Sequence, residues 1–178
     1  MAGLRPKTPR INPPTVETPA PPHQLGDGYC DTPVPEDKPL RLLIPVGSAA
    51  TDSTKLFWAT AHLANRMAVQ VVVLHCREWD LANGVKYFRD TIDEANAVIA
   101  TALSWFDALH IPAHGLLRDV ERGSVGIGIA DTCGEYPIDS IMVGLHRKRR
   151  IFHRHLGSTI AQIERRVDCP VIIINLDG

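Results

Sequence analysis

The residues best suited to chemistry lie where an apolar run approaches a helix start. Residues 139–144 predict a buried strand that closes on Gly144, and Gly157-Ser158-Thr159 lies at a predicted helix start. The first turn of a helix leaves backbone amides without intrahelical partners and carries the positive end of the helix dipole. At the carboxyl end of a parallel strand, these groups would face an incoming phosphate. The spacing therefore predicts an anion site.

The loop that joins Gly144 to Gly157 is strongly basic. Residues 146–155 contain five lysine or arginine side chains and three histidines. Such a loop could grip a phosphate, attract an acidic partner or RNA, hold a metal through His153 and His155, or simply lie in solvent. A metal site is disfavoured, because a cationic loop repels a divalent ion. The direct link between the two glycines favours phosphate over a macromolecular partner.

Apolar runs and helical periodicity predict five strands that alternate with four helices. Strict alternation predicts an α/β fold with a single doubly wound, mostly parallel five-stranded sheet and helices on both faces. Ligands of such sheets bind beyond the carboxyl ends of the strands, where the winding reverses. The predicted elements are strand 40–46, a helix that Asp52 or Ser53 caps, strand 69–76, helix 88–109, strand 111–118, helix 124–136, strand 139–144, helix 160–167 and strand 169–174.

Composition divides the chain at about residue 38. The first 38 residues contain nine prolines and very few large apolar side chains, so burial cannot offset their ordering entropy. We therefore predict a disordered proline-rich tail at 1–38 and one α/β domain at 39–178.

Charge, hydropathy and cysteine spacing limit the partners and the compartment. The net charge of −1 gives no overall attraction towards nucleic acid. No segment approaches the roughly 20 apolar residues that span a bilayer. The four cysteines form no Cys-x-x-Cys pair, which disfavours a zinc site and a disulfide framework. We expect reduced thiols, no membrane contact, no nucleic acid and a cytoplasmic location.

Two groups of residues are predicted to serve the packing of the core and not a functional site. His62 and His75 lie on or beside apolar faces, and we predict that both are core histidines with a backbone partner. Gly126, Gly128 and Gly134 fall within the third predicted helix, where each costs about 1 kcal/mol relative to alanine. Close packing on the sheet or a local backbone distortion is the predicted reason.

Several motifs together resemble the universal stress protein family. Gly47-Ser48 follows the first predicted strand, and Cys-Pro-Val begins the last one. The strongest match is the C-terminal block, where nucleotide-binding members have Gly-x-x-Gly, nine residues and Gly-Ser/Thr. This chain has Gly144, Arg147 three residues later, nine residues and then Gly157 followed by serine. The resemblance covers roughly residues 39 to 176.

The resemblance implies a fold like that of the adenine-nucleotide alpha hydrolases and a regulatory module that binds ATP, ADP or AMP, with Mg²⁺ as an accompanying ion. It places the base and ribose near Pro45, Gly47 and Cys76. It places the phosphates near Val143, Gly144, Gly157, Ser158 and Thr159.

Two positions depart from the nucleotide-binding pattern. ATP-binding relatives carry an aspartate after the first strand, and this chain has Gly47 there. Arg147 replaces the second glycine of the motif. Its side chain either obstructs close approach of a phosphate or clamps one through its guanidinium, and both readings remain open.

The alternative is a non-nucleotide-binding homodimeric adaptor whose basic loop and proline-rich tail contact macromolecular partners, including an unknown protein partner for the tail. The apolar run 171–174, as an edge strand, predicts a homodimer through the C-terminal strand, as the resemblance also implies. ATP hydrolysis needs a water-positioning base and a metal ligand, and we assign no catalytic or metal-binding residue. The expected activity is a weak ATPase at most.

Overall fold

The computed structural model describes residues 38–47, 53–145 and 156–176. The predicted tail, apart from Lys38, and the basic loop at 146–155 lie outside the described residues. In chain order the elements are β1 (Leu40–Val46), α1 (Thr54–Ala64), β2 (Val69–Ala82), β3 (Val85–Phe88), α2 (Ile92–Ala108), β4 (Ala113–Glu121), α3 (Val125–Glu135), β5 (Ser140–Leu145), α4 (Leu156–Glu164) and β6 (Val171–Asn175).

Five strands form the parallel sheet that the alternation predicts. β1 pairs with β2 on one edge and with β5 on the other. β4 adds to β2 and β6 adds to β5, so the parallel strands lie in the order β4-β2-β1-β5-β6. The chain moves outward from β1 to β4 and then returns to the opposite side for β5 and β6. The winding therefore reverses between β1 and β5.

Helices cover both faces of this sheet, so the doubly wound α/β prediction is confirmed. On one face, Phe57 of α1 and Phe106 of α2 belong to the same apolar cluster as Ile44 of β1. On the other face, Ile129 of α3 and Ile163 of α4 belong to a second cluster. Among the described helices, none is long and apolar enough to cross a membrane.

An antiparallel hairpin is the main departure from the predicted fold. β2 does not end at Cys76 but continues to Ala82, and β3 returns alongside it. Asn83 and Gly84 form the two-residue turn with positive φ values of 52° and 75°. Such a turn matches the twist of a hairpin and favours Asn-Gly. The Asn-Gly pair was therefore the signal for this sixth strand.

The predicted start of the second helix was consequently wrong. Phe88 is the last residue of β3, and α2 begins at Ile92. Thr91 caps the helix: its hydroxyl accepts from the Glu94 amide at 3.2 Å, and its own amide donates to Glu94 Oε2 at 2.8 Å. This reciprocal capping box satisfies two backbone donors.

The hairpin lies in line with β1, beyond its carboxyl end. Trp79 pairs with Glu121 of β4 across one edge of β2 and with Phe88 across the other. β1 occupies that second edge as far as His75, which pairs with Val46. The base of the hairpin therefore stands at the sheet edge where doubly wound folds bind ligands.

An ion pair between a buried arginine and an exposed aspartate links the base of the hairpin to β4. Arg77 is only 8% exposed, and its Nε and Nη2 donate to the two Asp119 carboxylate oxygens at 2.8 and 2.9 Å. The guanidinium carbon also lies 3.9 Å from the centre of the Phe88 ring. The bonds from Arg77 lower the pKa of Asp119. The pair therefore links β2, β3 and β4 at one point.

Two of the three glycines in α3 are explained by close packing. A Cβ on Gly126 would lie 2.5 Å from the Thr159 carbonyl oxygen of α4, and one on Gly128 would lie 2.5 Å from Val120 of β4. A Cβ on Gly134 would meet no atom within 4 Å, so packing does not explain that glycine. The absence of a side chain at Gly126 lets the start of α3 contact the first turn of α4.

Replacing Asp119 by asparagine tests the ion pair at the hairpin base. We expect Asp119→Asn to lower the free energy of unfolding by about 1–2 kcal/mol at pH 7, because the Arg77 guanidinium loses its charged acceptor. The effect is no larger because solvent partly screens the Asp119 carboxylate. The Asp119 pKa is lower in the folded state, so this contribution is present above about pH 4 and is lost as pH falls through the folded value. Urea unfolding from pH 7 to pH 2.5 measures it. A difference from the unsubstituted chain that stays constant over this range contradicts the assignment.

Candidate functional site

The reversal of winding defines a cleft at the carboxyl ends of β1 and β5. The chain leaves β1 towards α1 on one face of the sheet, and it leaves β5 towards α4 on the other. The connections that follow these two neighbouring strands run to opposite faces of the sheet. No crossover therefore covers both strand ends. Val46-Gly47 and Gly144-Leu145 mark the two walls of this cleft.

The β1 wall offers space at Gly47. This residue is exposed, and a Cβ added to it would meet no atom within 4 Å. Its φ is not positive, so a side chain could be accepted without backbone strain. Pro45 is half-buried within β1, two residues before the strand exit.

Cys76 lies under α3. Its sulfur is 3.6 Å from the position that a Cβ on Gly128 would occupy, and its side chain packs with the apolar cluster beneath α3. Burial raises the pKa of the Cys76 thiol to about 12, so the group is a neutral thiol at pH 7. The predicted contact of Cys76 with a base or ribose stays a prediction.

On the β5 wall, Gly144 is constrained by the C-terminal segment. Val143 is buried, and a Cβ on Gly144 would lie 2.5 Å from Leu176 Cδ1. The Leu176 amide also donates to the Leu145 carbonyl at 2.9 Å. A side chain at this position would displace the end of the Leu176 side chain, so packing as well as a phosphate can account for the glycine.

α4 begins earlier than predicted, at Leu156, so Gly157, Ser158 and Thr159 lie inside its first turn. The helix connects the parallel strands β5 and β6, and its amino end therefore lies at the carboxyl edge of the sheet. The Gly157 and Ser158 amides, which precede the fourth residue of the helix, have no acceptors within it. The structure thus brings the residues that the sequence predicts for a phosphate site to the same edge as Gly47 and Gly144, whereas Arg147 lies outside the described residues.

Gln162 links α4 to the loop before α3. Its Nε2 donates to the Gly123 carbonyl at 3.0 Å, and the Gly123 amide donates to Glu78 Oε1 at 3.0 Å. Gly123 has a φ of +81°, which a glycine adopts readily. α4, the loop before α3 and the end of β2 are therefore connected by hydrogen bonds. No sequence pattern singled out Gln162.

His75 connects β1 to the foot of the hairpin. It is 2% exposed, and its Nδ1 donates to the Val46 carbonyl at 2.9 Å, so it is a core histidine with a backbone partner, as predicted. Its Nε2 lies 3.2 Å from Asp90 Oδ2, which brings a carboxylate close to the exit of β1. The prediction for His62 was wrong, because this side chain is exposed on α1.

The described site is suited to binding an anion through backbone amides. Among residues 38–47, 53–145 and 156–176, no group of three or more histidine, cysteine or acidic side chains could hold a metal ion. Cys76, Cys133 and Cys169 are free thiols.

Comparison with solved structures identifies similar folds. A universal stress protein from Archaeoglobus fulgidus in complex with dAMP is 19% identical, with a TM-score of 0.57 over 76% of this chain and 97% of that one. A universal stress family protein from Arabidopsis thaliana with AMP bound is 14% identical, with a TM-score of 0.52 over 77% and 92%. A universal stress protein in complex with cAMP is 15% identical, with a TM-score of 0.53 over 76% and 96%.

Comparison by sequence identifies the family. No curated protein matches the chain. The sequence model of the universal stress protein family matches residues 40–175, which include every described strand and helix from β1 to β6. The chain therefore belongs to the universal stress protein family.

Proposed function

We propose that the cleft between β1, β5 and α4 binds an adenine nucleotide, and that the chain acts as a regulatory binding module with little or no catalysis. The observation that supports this most is that open space at Gly47 and the first turn of α4 lie at one sheet edge, where the winding reverses. The dAMP and AMP complexes of similarly folded universal stress proteins support the ligand class.

The phosphate end of the cleft fits this ligand. The amides of Gly157 and Ser158 lie at the amino end of α4, whose positive dipole end favours an anion, and Thr159 follows them. The close contact of Gly126 with the Thr159 carbonyl and the bond from Gln162 to Gly123 hold α4 against α3. A phosphate would thus meet donors that are already in place, which reduces the cost of ordering them on binding. Mg²⁺ would reach the site with the phosphates of ATP or ADP.

The base end offers space but fewer polar groups. Gly47 presents no side-chain acceptor, and Cys76 is partly buried under α3. Asp90 brings a carboxylate towards the exit of β1, but His75 engages it. We therefore expect the phosphates to contribute more to affinity than the base does.

Gly157→Val tests the phosphate end. A valine in the first turn of α4 would block close approach of a phosphate to the amides, so we expect the dissociation constant for ATP to rise at least tenfold, or about 1.4 kcal/mol. Isothermal titration with ATP, AMP, GTP and inorganic triphosphate, with and without Mg²⁺, measures it. Gly134→Val is the control, because it makes the same change in open space on α3. Equal ATP affinity in both variants contradicts the proposed site.

Gly47→Asp tests the base end. The resemblance implies that an aspartate at this position holds adenine and ribose, and the open space at Gly47 allows the substitution. We expect ATP to bind roughly tenfold more tightly than to the unsubstituted chain, as one added charge-assisted hydrogen bond would give, while inorganic triphosphate binds no better. Gly134→Asp adds the same charge away from the cleft and should change neither affinity. ATP affinity that stays unchanged or falls in Gly47→Asp would show that the base does not occupy the β1 wall.

The second candidate function is a homodimeric adaptor without a nucleotide, and the edge strand β6 favours it. β6 lies at one end of the sheet and, within the described part of the chain, pairs only with β5. Ile173 is 44% exposed on this strand. A twofold dimer through β6 would satisfy its open edge and cover this side chain.

Ile173→Lys tests that dimer. A lysine on each copy places like charges at the contact, so we expect the sedimenting species to shift from dimer to monomer. Sedimentation velocity measures the shift, and Tyr136→Lys, at a comparably exposed residue after α3, is the control. An unchanged dimer in Ile173→Lys excludes this interface.

A further inference from the structure

The hairpin of β2 and β3 presents apolar side chains to solvent. Leu81, Val85 and Tyr87 are 63%, 54% and 56% exposed, and Phe88 is 37% exposed. Within the described residues, β3 pairs only with β2, so its other edge has no strand beside it. A short strand with an open edge and exposed apolar side chains is suited to pairing with another strand.

The direction of the free backbone groups follows from the hairpin register. The Arg89 amide donates to the Glu78 carbonyl at 3.0 Å, so these two residues form a hydrogen-bonded pair. Bonded and non-bonded pairs alternate along antiparallel strands. Tyr87, which pairs with Asp80, therefore directs its amide and carbonyl towards β2. Lys86 and Phe88 direct theirs to the open edge.

We propose that β3 pairs antiparallel with β3 of a second copy of this chain, about a twofold axis that passes beside Tyr87. Lys86 and Phe88, whose amides and carbonyls point to the open edge, lie one residue before and one residue after Tyr87. In this register Lys86 of each copy lies opposite Phe88 of the other, and the two pairs form four backbone hydrogen bonds. The two Tyr87 residues form the non-bonded pair between them.

The side chains are complementary in the same register. Lys86 and Phe88 lie on one face of the hairpin, where Arg77 lies over the Phe88 ring and Lys86 lies 4.1 Å from the centre of the Trp79 ring. Pairing would bring each Lys86 ammonium beside the exposed part of the other copy's Phe88 ring, a favourable cation–π arrangement. Val85 would face Arg89, whose charge Glu78 already balances at 3.1 Å. No like charges would lie directly opposite each other.

The expected association is weak. Two four-residue strands bury less than the roughly 1,200 Å² of total surface that a stable interface needs, so the dimer should form only at high protein concentration. The contact uses neither the residues of the proposed nucleotide site nor those of β6, which lies at one end of the parallel sheet. It can therefore be tested without assuming either of them.

Disulfide trapping tests both the contact and its register. In the proposed dimer, the Cα atoms of the two Tyr87 residues are about 4.5 Å apart, which a disulfide can span. Tyr87→Cys should therefore form a covalent dimer with oxidised glutathione. Val85→Cys is the control, because Val85 is equally exposed on the same face, yet the two copies of this residue would be roughly 13 Å apart.

The expected result is at least tenfold more covalent dimer for Tyr87→Cys than for Val85→Cys, with mass spectrometry linking the two peptides that contain position 87. Adding Lys86→Pro should reduce trapping several-fold, because it removes an outward amide and leaves the bonds between β2 and β3 intact. Adding Ile173→Lys should leave trapping unchanged. Equal trapping at positions 85 and 87, no trapping at millimolar protein, or linkage through a native cysteine overturns the proposal.

Discussion

The pairing of β1 on both edges is the constraint on which the rest of the structure depends. β1 lies between β2 and β5, and its residues Leu42, Leu43 and Ile44 are fully buried. The chain must cross to opposite sides of this strand, and so the ends of β1 and β5 diverge into a cleft. The amino end of α4 reaches the same edge, because α4 follows the carboxyl end of β5 and returns the chain to the parallel strand β6.

The same edge also carries the hairpin. β2 runs past β1, turns at Asn83-Gly84 and returns in line with β1. His75 connects the exit of β1 to Asp90, and Arg77 connects the hairpin to Asp119. Side-chain hydrogen bonds therefore join the exit of β1 and the neighbouring strand β4 to the hairpin. Any ligand at this edge would lie beside the hairpin.

The sequence allowed the parallel sheet to be predicted, because buried strands are continuous apolar runs that alternate with amphipathic helices. The hairpin was missed despite its Asn83-Gly84 signal, because residues 77–88 mix charged and aromatic side chains and Phe88 continues the helical spacing of α2. The site residues near Gly47 and Gly157 could be named from their motifs. The roles of Gln162, Asp90 and Leu176 could not, since each depends on a contact between residues distant in sequence.

Amide hydrogen exchange with and without ATP tests the location of the nucleotide site most directly. We expect ATP to slow exchange in the peptides that contain the end of β1, the end of β5 and the first turn of α4. Exchange in the peptides of α2 and of the β2–β3 turn should not change. Protection confined to residues 146–155, or no protection at these three strand and helix ends at saturating ATP, would contradict a nucleotide site in the cleft.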